Sequence, residues 1–192
     1  SMVGTIKVDL TTSLSNNFDP VPLIQAAKIQ DWDKLRTLLE QGEQATVTSA
    51  DGATALHWAS YWDNIETAEL LINSGANPNA MNDLGATALW NASLNGSEDM
   101  VGMLLRSGAD PAISLASGES PVMTAARTGS AKVVELLLTA GADPNATATR
   151  GQTALMWAAA QHHAAVVSVL LGHGADVHLR SETWSQVMAI PP

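Results

Sequence analysis

One spacing governs this chain. Gly42, Gly75, Gly108, Gly141 and Gly174 stand 33 positions apart, as do Gly52, Gly85, Gly118 and Gly151, and Ala26, Ala59, Ala92, Ala125 and Ala158. Three sets of positions holding one period without an insertion define a repeat architecture, in which each unit is one small supersecondary block. On this register the units are 18–50, 51–83, 84–116, 117–149 and 150–182, with an N-terminal extension at 1–17 and a tail or truncated repeat at 183–192.

Each unit reads as two short helices. "GATALHWAS", "GATALWNAS", "GESPVMTAA" and "GQTALMWAA" place Thr54, Thr87, Ser120 and Thr153 where a hydroxyl caps a helix start. Pro121 follows its cap, where a missing N–H costs nothing. "TAELLI", "MVGMLL", "KVVELLL" and "AVVSVLL" carry apolar residues at helical spacing along one side. The periodic glycine then ends the second helix in the left-handed conformation. Paired alanines such as Ala125-Ala126 and Ala158-Ala159 let neighbouring helices approach closely. No unit buries its apolar face alone, so stacking into an all-α solenoid is the predicted fold.

These residues resemble the ankyrin-repeat family. "TALHWAS" follows the family's Thr-Pro-Leu-His-x-Ala-Ala pattern, with His57 on its histidine; Trp90, Met123 and Met156 stand there in later units. "LINSGAN", "LLRSGAD", "LLTAGAD" and "LLGHGAD" follow its closing pattern, and the likeness covers 18–182. It implies helix-turn-helix units joined by short hairpin-like turns. The phrases "MTAARTGS" and "RGQTALMWAAAQHH" resemble bacterial multi-ankyrin proteins, which implies an exported or periplasmic location. The ends depart from the pattern: Asp19 and Val21 replace Gly and the capping Thr, and Trp184 stands in a glycine register. The first unit reads as an atypical cap. Either the chain is a fragment of a longer array, or Trp184, Val187, Met188 and Ile190 fold back over the open end.

Function follows from the same resemblance, which implies a partner-binding concave surface lined by first-helix ends and finger-like turns. Position by position this marks Tyr61, Trp62, Leu94, Asn95, Arg127 and Gln161 on the helix ends. On the turns it marks Asp51, Met81, Asp83 and Leu84. The adjacent Tyr61 and Trp62 weigh heavily in a chain with six Trp, one Tyr and one Phe. They either stand on the groove with Met81, Leu84 and Leu94, rimmed by Asp51, Asp63 and Asp83, or pack structurally against neighbouring units. The acidic rim favours a basic protein or extended peptide.

Composition narrows the classes further. A net charge of −10 with nine scattered Lys and Arg argues against nucleic acid. Residues 51–83 carry five acids and no Lys or Arg, so a charged partner would favour that side. No apolar run approaches the 18 residues of a membrane span, and nothing reads as a secretory signal; Ser1-Met2 reads as an expression remnant. With no Cys there is no thiolate metal site or thiol nucleophile. His162, His163, His173, Asp176 and His178 cluster in sequence but occupy different parts of the unit, so no metal site is expected. His57 and His163 are expected to bond to backbone. No nucleophile elbow or phosphate loop is present, so no enzyme, cofactor or small-molecule substrate is expected. A non-enzymatic scaffold is the leading expectation, and a structural segment of a longer protein the alternative.

Overall fold

The computed structural model describes residues 21–182; the proposed covering residues Trp184, Val187, Met188 and Ile190 lie outside them. Among the described residues ten α-helices follow one another: α1 (Pro22–Lys28), α2 (Trp32–Glu40), α3 (Ala55–Tyr61), α4 (Ile65–Asn73) and α5 (Ala88–Asn95), then α6 (Glu98–Arg106), α7 (Pro121–Thr128), α8 (Ala131–Thr139), α9 (Ala154–Ala160) and α10 (Ala164–Gly172). The odd-numbered helices stack in one layer. Helices α4, α6, α8 and α10 form a second layer, and α2 packs on α1.

Side-chain size sets the shape. Ala26, Ala59, Ala92, Ala125 and Ala158 are wholly buried between first helices. Methyl groups at the contact allow close helix axes, whereas Leu71, Leu104, Leu137 and Leu170 fill the second layer. The first layer is accordingly the more closely packed. Ala126 is buried as expected; Ala159 is exposed, because α9 packs chiefly on α7 and α10 among the described helices.

Helix starts follow the sequence with one exception. Thr54, Thr87 and Thr153 accept hydrogen bonds from the backbone N–H of His57, Trp90 and Met156, at 3.4, 3.2 and 3.3 Å. Ser120 makes no such bond, and its buried hydroxyl has no partner. There the start of α7 rests on Pro121, whose fixed φ suits the first helical position. Second helices end as predicted, with Gly75, Gly108, Gly141 and Gly174 all left-handed.

Between units the chain makes tight fingers joined by one backbone bond per joint. Asp83 N–H donates to Asp51 O (2.9 Å), Ala116 to Leu84 (3.1 Å), Thr149 to Ser117 (2.8 Å) and Glu182 to Arg150 (2.9 Å). This ladder explains the second glycine series. Gly85 has φ +80°, and a Cβ on it would lie 3.1–3.3 Å from the backbone of Ser114, Leu115 and Ala116. The fingers form no strand among the described residues, only an isolated bridge between Thr48 and Thr54.

Candidate functional site

The last residue of α3 and the residue after it carry Tyr61 and Trp62. Both rings are half out of the protein, at 49% and 40% exposure, because Ala59 and Ser60 fill the space between α3 and its neighbours. They hold each other edge to face, with centroids 4.9 Å apart and planes at 82°. Trp58 meets the other side of Tyr61 at 5.8 Å and 71°, and Lys28 Nζ lies 5.5 Å from the Trp58 ring. The adjacent pair is therefore part of a three-ring cluster that carries a cation. Sequence reading singled out two of its four members.

Met81 and Leu84, on the finger between α4 and α5, are more exposed still, at 56% and 70%. Leu94 is half-buried on α5. The side chains of Asp63 and Asp83 make no hydrogen bond or ion pair among the described residues. Asp51 is engaged within its own turn, accepting from the Ser49 hydroxyl and the Ala53 N–H. The Ser49 bond is the main cause that holds its carboxyl below the ordinary range, with desolvation opposing. Asn95 also has structural work: its amide donates to Ser60 O (3.1 Å) and Tyr61 O (3.0 Å), closing the carbonyl end of α3. The rings thus stand on a fixed base.

Arg127 and Gln161 lie at the other end of the face. Arg127 pairs with Glu119 at 3.1 Å and lies 5.2 Å from the centre of the Trp157 ring. Beside this ring a hollow of about 310 Å³ is lined by Met156, Ala160, Gln161 and Gln152. Lys28 over Trp58 and Arg127 over Trp157 are one arrangement used twice, each cation preceding its ring by 30 positions in sequence. That common offset was the available signal, hidden because the intervening units put Asn91 and Thr124 in the Trp register.

Two of the histidines, His57 and His163, bond to backbone through their rings. His57 Nδ1 accepts from Thr54 N–H (3.0 Å), so its Nε2–H donates to Ala86 O (2.8 Å). Burial lowers its pKa, partly offset by the Ala86 bond. His163 Nε2 bonds Arg127 O at 3.1 Å. No three His, Asp or Glu side chains converge among the described residues, and no described helix is long and apolar enough to cross a membrane.

The family model for ankyrin repeats (3 copies) matches residues 23–115 and again 89–181. The chain belongs to the ankyrin-repeat family. These repeats are generic protein–protein interaction modules on a fold that is typically non-catalytic. This ankyrin-repeat chain is 48% identical over 46 residues to an ankyrin repeat and LEM domain-containing protein 1 homolog from Caenorhabditis elegans. It is 34% identical over 76 residues to palmitoyltransferase AKR1 from Yarrowia lipolytica. The matches cover 24% and 36% of this chain, and only 6% and 11% of those relatives.

Proposed function

We propose that this ankyrin array binds an extended, basic segment of another protein on its first-helix face, centred on Tyr61 and Trp62. The observation that supports the reading is that Tyr61, Trp62, Met81 and Leu84 are large apolar side chains left substantially exposed. Tyr and Trp concentrate binding energy at interfaces because they bury a large area with little loss of side-chain freedom. A Lys or Arg of the partner stacks on a ring and pairs with Asp63 or Asp83, while a neighbouring apolar side chain covers Met81, Leu84 and Leu94. Asp51 and Asn95 hold the surface in shape, and Arg127 and Gln161 meet the far end of the segment.

Selection of phage-displayed random peptides on the immobilised chain tests this. Peptides combining basic and apolar residues should be enriched. Their affinity should fall with salt and weaken about thirtyfold or more in Tyr61→Ala/Trp62→Ala, the loss of a hot spot of about 2 kcal/mol. Equal binding by wild type and an equally stable double variant would overturn the reading. A second reading, an array that spaces other parts of a longer protein, draws on the small share of the relatives that it matches. It predicts no saturable peptide binding by the chain itself.

A further inference from the structure

The second-helix side carries a groove that the proposed peptide surface does not use. Between α4, α6 and α8 lies a space of about 510 Å³, floored by Met103 and walled by Ile65 and Leu136. A hollow of about 320 Å³ that shares Met103 extends it along Ile72. In the second layer, α4 and α6 touch less closely than α6 and α8 or α8 and α10.

Gly102, inside α6, opens this space. The same register holds Arg36, Glu69, Glu135 and Ser168 in the other units. Gly102 is absent from the left-handed residues, and a Cβ on it would meet only the flexible tip of Arg106, at 3.2 Å. Neither backbone nor packing requires a glycine, and one inside a helix is destabilising. Its effect is to leave the groove unfilled.

The rim has a sign. Among the described residues no ion pair engages Glu69, Glu98 or Asp99, whereas Lys132 is held by Glu135 at 3.0 Å. Arg106, with Lys132 acting on Glu98 through space, offsets the three acids only in part. A second copy of a chain with net charge −10 is a poor occupant. We infer that this groove docks a basic amphipathic helix of another protein, its apolar face on Met103, Ile65 and Leu136 and its Lys or Arg on the acidic rim.

The test titrates the full chain with a synthetic amphipathic Leu/Lys helix and with its Leu/Glu counterpart, read by amide NMR shifts and calorimetry. The Leu/Lys peptide should bind saturably and shift the amides of Gly102, Met103 and Leu136, and the Leu/Glu peptide should not bind. Gly102→Arg should weaken binding at least about tenfold, and Glu69→Lys/Glu98→Lys, on exposed positions, should do so even if Gly102→Arg fails to fold. Tyr61→Ala/Trp62→Ala should leave binding at this groove unchanged, which separates it from the first-helix surface. Unchanged affinity in the charge-reversed variant, shifts confined to the Tyr61–Trp62 face, or a dimer in sedimentation that Gly102→Arg dissolves would each overturn the inference.

Discussion

The two ends of the first-helix face solve one construction problem in different ways. Where α3 meets α5, the joint is stitched by side chains that reach backbone carbonyls. His57 binds Ala86 O, Ser60 binds Ala88 O (2.6 Å), Asn91 binds His57 O (3.1 Å), and Asn95 binds the end of α3. Where α7 meets α9, Arg127 does much of the joining: anchored by Glu119 of its own unit, it covers Trp157 and offers its carbonyl to His163. The first solution keeps cohesion inside and leaves Tyr61 and Trp62 on the surface. The second uses a surface side chain for cohesion, which covers the ring. In these two joints the open ring pair stands where small polar side chains hold the neighbouring repeats together, although a cation lies over the Trp at both.

The largest test of this contrast removes each histidine. His57→Ala takes away a helix-capping acceptor and strands a buried carbonyl, and should cost about 3 kcal/mol in urea unfolding. His163→Ala, half-buried with one backbone bond, should cost about 1 kcal/mol. Equal losses would erase the distinction. The buried joint also predicts a pH dependence. Because the pKa of His57 is lowered in the fold from 6.5, the unfolded chain takes up a proton first as pH falls. Its contribution is therefore complete above about pH 6.5 and declines below it, down to the folded pKa. Subtracting the profile of His57→Ala isolates that slope.

Arg127→Ala attacks the other joint. It removes a half-buried ion pair and a cation–π contact, for an expected loss of about 1–2 kcal/mol, discounted because the guanidinium is partly solvated. Lys is no substitute, since only the flat guanidinium both stacks and forks. If the comparison holds, the variant also uncovers Trp157 and gains a second ring surface. Quenching of Trp157 fluorescence by acrylamide, in a version retaining no other exposed Trp, reads this directly.

The sequence made the helices, their stacking and most of their caps legible, because a 33-residue spacing forces chemically similar positions into the same place in every unit. The exceptions are instructive. Ser120 reads as a cap like its three counterparts, yet its hydroxyl is unpaired where Pro121 organises the start of α7. The exposure of Tyr61, Trp62, Met81 and Leu84 was expected from the family likeness, but Asn95 could not be separated from them. Its amide reaches across 34 and 35 positions to carbonyls, and a backbone acceptor leaves no mark in sequence. Pairing of Arg127 with Trp157 left only a shared sequence offset as its trace for a related reason: stacking depends on a side-chain rotamer, and the register alone does not specify one.

A smaller effect concerns the loops after the second helices. Asn79 donates to Gly108 O (2.9 Å) and accepts from Asp110 N–H (2.8 Å), and Asn145 repeats this with Gly174 (3.1 Å) and Asp176 (2.7 Å). Ala112 stands in that register between them and clamps nothing. Ala112→Asn should add both bonds, to Gly141 O and Asp143 N–H, and raise stability by about 1 kcal/mol. The gain should couple the stitched half of the array to the Arg127 half, so that one urea transition sharpens. A gain without sharpening would mean the halves already unfold as one.

The smallest effect compares the turns that end α3 and α9. Asp63 (φ +56°) and His162 (φ +61°) both hold the left-handed conformation that Gly96 and Gly129 hold in the units between. A side chain there is strained by about 1 kcal/mol, less for Asp because its carboxylate tolerates the region, while glycine returns part of the gain as unfolded-state entropy. His162→Gly should therefore stabilise by about 0.5 kcal/mol and Asp63→Gly should be close to neutral. The pair of melting curves separates backbone strain from the side-chain joints, since neither substitution touches the Arg127 contact or the bonds of His57. Should Asp63→Gly stabilise as much as His162→Gly, the α3 turn would be as strained as its counterpart, and the rings beside it would be held open by strain as well as by stitching.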